Sequence, residues 1–259
     1  MRNMRQRYGQ HFLVNQRVIE EITQAALRLK ATQTVEIGPG KGALTFALIA
    51  AGFTGFSAAE IDPEMIDFLN KNLPPHAGVK ILEGDFTRLP PGALKNEPTG
   101  FVGNLPYVDA AAILDKALAF PQFYSAVFMF QKEQANRVQA APGTEFYGPL
   151  SILSQARAQI KLLCNVGKGS FNPPPKVESA VLTFEKLPAP IVPPALWGRF
   201  AKVVRAAFLH RRKTLFNSLA LCGYSKEKIT AALSALSLPL TVRAEQVGLT
   251  QFVQLANAL

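Results

Sequence analysis

The chain has 259 residues, 48% hydrophobic and 18% charged. That is enough apolar material for one sizeable α/β domain with a smaller appendage, and too much for a disordered chain. No uninterrupted apolar run is long enough to span a bilayer, and the formal net charge of +10 favours a polyanionic partner, because Lys and Arg that neutralise phosphates release condensed counterions. Cys164 and Cys222 match no ligand spacing, and His11, His76 and His210 are scattered. Neither a metal site nor a disulfide framework is therefore expected, and low cysteine use fits the cytoplasm.

The N-terminus carries Arg2, Arg5 and Arg7, with no acid before Glu20 and no apolar h-region. It reads as a basic arm for a nucleic-acid backbone rather than a secretory signal. Val18, Ile22, Ala25, Ala26 and Leu29 recur at helical spacing and predict a first helix over 16–29. A strand over 34–37 runs into Gly38-Pro39-Gly40-Lys41-Gly42, and a helix over 43–51 follows. The unit repeats as a strand over 55–60 and a helix over 63–73, with Pro63 suited to a first helical turn. Further strands are predicted over 79–83, 100–103, 125–130, 160–166 and 180–184, with helices between most of them. Such alternation predicts a mostly parallel, doubly wound sheet.

Residues 187–194 hold four prolines in eight positions, which can continue neither a ladder nor a helix, so this is a stiff connector. The expected domains are 1–186 and 187–259, the second all-helical. That second segment holds nine Lys/Arg against two acids, +7 of the total +10. Phe200, Val204 and Phe208 recur every four residues and read as core. Arg211-Arg212-Lys213 is expected on the same helix as a phosphate-contacting run. Trp197 and Cys222 are expected to pack, and Lys132, Glu133 and Arg137 to form local helix pairs.

The glycines after the 34–37 strand permit positive φ and let a ligand approach the backbone. Glu60 lies 22 residues after Gly38, at the end of the next strand, where a carboxylate can accept hydrogen bonds from both hydroxyls of a ribose. This arrangement serves NAD and S-adenosylmethionine alike. Two details tilt towards the methyl donor. The loop lacks the usual dinucleotide spacing, and a second acid, Asp85, ends the third strand, where it can accept from an adenine amino group. Ile61 and Phe86 are the apolar candidates to sandwich that ring.

Asn104-Leu105-Pro106-Tyr107 follows the fourth strand, at the sheet edge where open α/β sheets bind ligands. The amino nitrogen of adenine is a poor nucleophile because its lone pair is delocalised. The Asn104 oxygen and a main-chain carbonyl, that of Leu105 or Pro106, can accept its two N–H groups and aim the lone pair at a sulfonium methyl. Pro106 fixes the turn, and Tyr107 offers a face on which an extruded base can stack. No strong general base is needed, so catalysis is positioning plus electrostatics.

With these residues in order, the chain resembles the ribosomal RNA adenine dimethyltransferase family along almost its whole length. The resemblance is carried by Gly9-Gln10-His11-Phe12-Leu13, Glu36-Ile37-Gly38-Pro39-Gly40, Glu60-Ile61-Asp62 and Asn104-Leu105-Pro106-Tyr107. Phe130-Gln131-Lys132-Glu133 with Arg137, Tyr147-Gly148-Pro149-Leu150-Ser151, Phe171-Asn172-Pro173-Pro174-Pro175-Lys176-Val177, Phe208 and Arg211-Arg212-Lys213-Thr214-Leu215 complete it. It implies S-adenosylmethionine contacts at His11, Leu13, Gly38, Glu60, Asp85 and Asn104, and a target base bracketed by Tyr107 and Phe171. His11 departs from the Asn often found there, but its ring N–H can still serve the donor's methionine end. The implied fold is α/β: a class I, Rossmann-like seven-stranded methyltransferase sheet with an antiparallel partner strand near its end, then a small all-α domain. The implied substrate is a pair of neighbouring adenines near the 3′ end of 16S rRNA in the small ribosomal subunit, each methylated twice; a monomer is expected, though no residue pattern speaks to it. Alternatives are a 23S rRNA methyltransferase of the macrolide-resistance type and a non-catalytic ribosome assembly factor. An NAD oxidoreductase would leave the basic tail unexplained and lacks a hydride-transfer constellation.

Overall fold

The computed structural model describes residues 11–29, 31–210 and 212–259. The basic arm, Gly9 and Gln10 lie outside them, as does Arg211. The chain runs β1 (Phe12–Leu13), α1 (Gln16–Arg28), β2 (Gln33–Ile37), α2 (Ala43–Ala50), β3 (Ser57–Glu60), α3 (Pro63–Asn72), β4 (Lys80–Glu83), β5 (Thr99–Asn104), α4 (Ala110–Ala119) and β6 (Phe123–Gln131). It continues through α5 (Lys132–Gln139), α6 (Pro149–Gln155), β7 (Ala158–Val166), β8 (Phe171–Asn172), β9 (Ser179–Lys186), α7 (Trp197–Phe208), α8 (Leu215–Leu221), α9 (Lys226–Ala235) and α10 (Leu249–Ala258).

Seven strands form one sheet in the order β4-β3-β2-β5-β6-β9-β7. The pairs from β4 to β6 are parallel and β9 is antiparallel to β6. Strands buried on both faces read as continuous apolar runs, and β5 and β6 do so. Val102, Val127 and Met129 join α1 residues Val18, Ile19 and Ile22 in one core cluster. Alternate positions Phe101, Phe128 and Phe130 are fully buried too, and Phe128 and Phe130 contact Phe184 of β9. α1 starts where Asn15 accepts the Val18 N–H on its side chain, and α3 where Asp62 accepts from Glu64 with Pro63 behind it, both N-caps.

β1 and β8 pair antiparallel as a separate two-stranded sheet, with Leu13 opposite Phe171. The sequence reading contains no strand at either place, since two residues are too few for periodicity.

The chain divides into two compact units. One holds residues up to Ala135 and Ile160–Lys186, the other Asn136–Gln159 and Leu187–Leu259. The second thus includes a segment assigned from sequence to domain 1–186. Tyr147, Ile152 and Leu153 bury in the same cluster as Phe200, Val204, Leu219 and Phe252, and the Tyr147 hydroxyl donates to Val247 O at 2.9 Å. α7 ends at Phe208, so Arg212 and Lys213 occupy the turn before α8, not the helix expected for them. The reason is local: Thr214 N-caps α8, accepting the Asn217 N–H, and an N-cap requires non-helical backbone. Among the described residues no helix is long and apolar enough to cross a membrane, and no cluster suited to a metal ion occurs.

Candidate active site

A cavity of about 380 Å³ is lined by Glu36 and Ile37 of β2, Ala59 and Glu60 of β3, Gly84 and Asp85 beyond β4, and Asn104 at the end of β5. β3 and β5 flank β2 on opposite sides, so the cavity lies at the carboxyl ends of the strands where chain direction across the sheet reverses. That is where open α/β sheets hold ligands, and the volume suits a small molecule. His11, Leu13, Gly38, Glu60, Asp85 and Asn104, all named from sequence, line this cavity together with Ile61, Phe86, Leu105, Pro106 and Tyr107.

Gly38, Gly40 and Gly42 all have positive φ, at 65°, 54° and 78°, which any side chain would strain. Gly40 has a second reason to be bare: a Cβ there would stand 3.2 Å from the Phe12 ring. β1 lies against the glycine turn, with the Lys41 ammonium 5.0 Å from the Phe12 centroid. Glu60 Oε2 accepts the Gly40 N–H at 2.9 Å, and Oε1 accepts those of Ile61 and Asp62 at 2.8 and 2.9 Å. A carboxylate has about four lone-pair sites, so one remains, and a ribose hydroxyl pair would have to displace an amide to use two. Asp85 Oδ1 accepts from Thr87 N and Oγ1 at 2.8 and 2.7 Å. Phe86 is fixed edge-on against Phe101, while Ile61 is exposed.

Asn104 Nδ2 donates to the His11 carbonyl at 3.2 Å. A carbonyl only accepts, so this contact fixes the amide's orientation and leaves Oδ1 as its unspent acceptor. The Asp109 N–H donates to Pro106 O at 3.1 Å and closes the turn. His11 contributes its backbone to Asn104, while its ring Nδ1 donates to Pro173 O at 2.9 Å and its ring lies 5.8 Å from that of Tyr107. The expected use of a His11 ring N–H for a bound ligand is therefore already taken at Nδ1.

Phe171, expected to bracket a base, is 4% exposed and packs with Leu13, Val166 and Val181 in the core. It is not on the cavity wall. Lys132 pairs with Glu178 at 2.7 Å, not within its own helix as read from sequence.

Two residues escaped the sequence reading of roles. Ser179 is fully buried and hydrogen-bonds the Tyr107 hydroxyl at 2.8 Å. Burial pushes the Tyr107 phenol up and the Ser179 contact pulls the other way. Ser179→Ala should leave a half-buried hydroxyl unpaired and loosen the ring. We expect the KM for the molecule that packs on Tyr107 to rise about threefold to tenfold, equivalent to one neutral hydrogen bond of about 1 kcal/mol. Unchanged steady-state kinetics would show that the contact does not position Tyr107. The other is Glu36, quoted only as part of a motif. Its carboxyl is 1% exposed on the cavity wall and Oε2 accepts the Thr45 hydroxyl at 2.7 Å. Burial pushes it up to about 8, the Thr45 hydrogen bond opposing and the neighbouring Glu60 charge adding. An acid between Val35 and Ile37 in a parallel strand was the available signal.

Seven strands in this order, with a ligand cavity at the switch point, give the first unit a Rossmann-like methyltransferase fold. The family described as Ribosomal RNA adenine dimethylase matches residues 1–259, and the chain belongs to that family. It is 40% identical to the Ribosomal RNA small subunit methyltransferase A of Synechococcus sp. (strain JA-3-3Ab), over 98% of this chain and 92% of the relative. To that of Pseudomonas syringae pv. tomato it is 37% identical, over 98% and 94%. Among solved structures it resembles a dimethyladenosine transferase from Plasmodium falciparum, with TM-score 0.79 and 25% identity over 95% of this chain and 96% of that one. It also resembles the 23S rRNA methyltransferase ErmE, with TM-score 0.72 and 25% identity over 96% and 99%.

Proposed function

We propose that the protein uses S-adenosylmethionine to dimethylate N6 of two adjacent adenosines near the 3′ end of 16S rRNA in the small ribosomal subunit. The observation that carries the reading is the Asn104 amide, locked by the His11 carbonyl with Oδ1 unspent at the rim of the cavity. When bound, S-adenosylmethionine supplies an electrophilic methyl on a sulfonium. Glu60 and Asp85 hold its ribose and adenine, Gly38 admits it to the turn, and His11 and Leu13 cover it. Asn104 Oδ1 and a main-chain carbonyl accept the amino N–H groups of the target. Pro106 O already accepts the Asp109 N–H, which favours Leu105 O as the second acceptor. This is positioning catalysis. Tyr107 stacks the extruded base, while Phe171 would have to leave its core packing to do so.

The small-subunit substrate is favoured over the 23S alternative by the relatives named for it at 37% to 40% identity, against 25% for ErmE. Dimethylated adenine cannot pair, so primer extension tests the choice. Stops at two neighbouring adenines in small-subunit RNA are expected after treatment with enzyme and donor. Stops in large-subunit RNA alone would move the reading to the other enzyme type, and RNA binding without stops to an assembly factor.

The helical unit supplies RNA affinity in this reading, through Arg211, Arg212 and Lys213; the latter two are exposed. Neutralising all three should flatten the log–log salt dependence of binding by about two units, at about 0.7 per phosphate contact on single strands. An unchanged slope would make the run a bystander.

A further inference from the structure

Glu36 lines the cavity yet is almost wholly buried. Its one described polar partner is Thr45, on α2. The charged or titratable groups sharing that wall are Glu60 from β3, Asp85 beyond β4, Asp109 before α4, Lys41 in the glycine turn, and the side chains of His11 and Tyr107. Glu60 opposes ionisation of Glu36, and the Lys41 ammonium lies over the Phe12 ring. The residue paired with Glu36 on β5 is Val102, which carries no charge. The wall is therefore short of positive charge at a buried carboxyl, and an uncompensated buried charge is expensive.

We infer that Glu36 is a specificity-determining residue that senses the charge of the methyl donor, ionising when the cationic donor enters and so favouring it over the spent, uncharged thioether. The inference rests on the donor proposed above. Only an O–H bond breaks: the Glu36 proton passes to solvent, and the carboxylate left behind faces the donor's positive charge. S-adenosylmethionine carries a sulfonium, an ammonium and a carboxylate. After methyl transfer the sulfur is neutral and the ligand's net charge falls to zero. Glu36 then regains its proton as the spent donor leaves.

The sign follows from linkage. With the empty-site carboxyl pushed up to about 8, Glu36 is mostly protonated at neutral pH. Binding that releases its proton strengthens as pH rises, by up to about tenfold per unit. The gain levels off above pH 8.

Isothermal titration calorimetry at pH 7, in buffers of different ionisation enthalpy, counts protons released. The full-length protein and Glu36→Gln are titrated with S-adenosylmethionine and with S-adenosylhomocysteine. The difference between the two proteins isolates Glu36, because the ligand amine titrates equally in both. We expect the wild type to release close to one proton more than Glu36→Gln on binding S-adenosylmethionine, and clearly less than that on binding S-adenosylhomocysteine. The ratio of the two affinities should shrink in Glu36→Gln. Equal release by both proteins, or equal release for both ligands, would overturn the inference while leaving the donor intact. Absence of binding heat with either ligand would overturn the proposed donor itself. If Glu36→Gln does not fold, Thr45→Val serves: losing the hydroxyl that favours the carboxylate should move the levelling of affinity to higher pH, and an unmoved profile would contradict the assignment.

Discussion

Asn104→Ala is expected to lower kcat about 10²-fold to 10³-fold, the scale of losing one preorganised polar contact at a reacting group. RNA affinity should stay within about twofold, because phosphate contacts carry most of it. The change removes the unspent Oδ1 and the Nδ2 bond to the His11 carbonyl. That carbonyl is only half-buried, so the stability loss should be about 1 kcal/mol. Asn104→Asp sharpens the test. It keeps an oxygen acceptor but cannot donate to the His11 carbonyl, so the residue loses its fixed orientation and turnover should again collapse. Single-turnover methylation checks both variants. Near wild-type turnover by Asn104→Ala would remove Asn104 from the chemistry.

Gly103→Ala should be the most damaging single methyl in the first unit. A Cβ at Gly103 would stand 2.6 Å from the Ile37 carbonyl oxygen and 3.1 Å from a Leu105 methyl. The first neighbour is backbone of the adjacent strand β2 and cannot swing aside. Relief requires β2 and β5 to part at the end where Ile37 enters the glycine turn and Asn104 begins the acceptor turn. Overpacking of this kind costs about 3 kcal/mol, a large share of a typical domain's 5–15 kcal/mol. Chemical denaturation should show the loss, and the surviving folded protein should have reduced kcat because Asn104 moves. A variant as stable as wild type would mean that the strands separate more easily than the register implies.

The sequence carried the strands of the seven-stranded sheet and the helices α1, α2 and α3 because each is long enough to show its pattern. Gly38, Glu60, Asp85 and Asn104 lie at or just beyond the ends of β2, β3, β4 and β5, so the order of these motifs along the chain was enough to place them at one edge of the sheet. What it did not carry depends on contacts distant in the chain. β1 and β8 have two residues each and exist through mutual pairing. Ser179 looks like any strand residue until Tyr107 is brought to it from 72 positions away. Gly103 reads as a spacer until Ile37 is alongside. The placement of residues 136–159 with the helical unit depends on Tyr147 and Ile152 burying against α7 and α10 residues, which local composition does not reveal. Phe171 was assigned to the base by motif, whereas its burial beside Leu13 follows from the β1–β8 pair. Arg212 and Lys213 continued a helical period on paper, but Thr214 competes as an N-cap and ends that helix early.

In the proposed function this cavity and Asn104 place four methyl groups on two adenines of the small subunit. Purified protein should be incubated with tritiated S-adenosylmethionine and small subunits from cells lacking the modification, and the RNA digested to nucleosides. Label recovered as N6,N6-dimethyladenosine, absent with Asn104→Ala, is the predicted result. Label confined to another nucleoside, or no label while the subunits remain bound, would contradict the account.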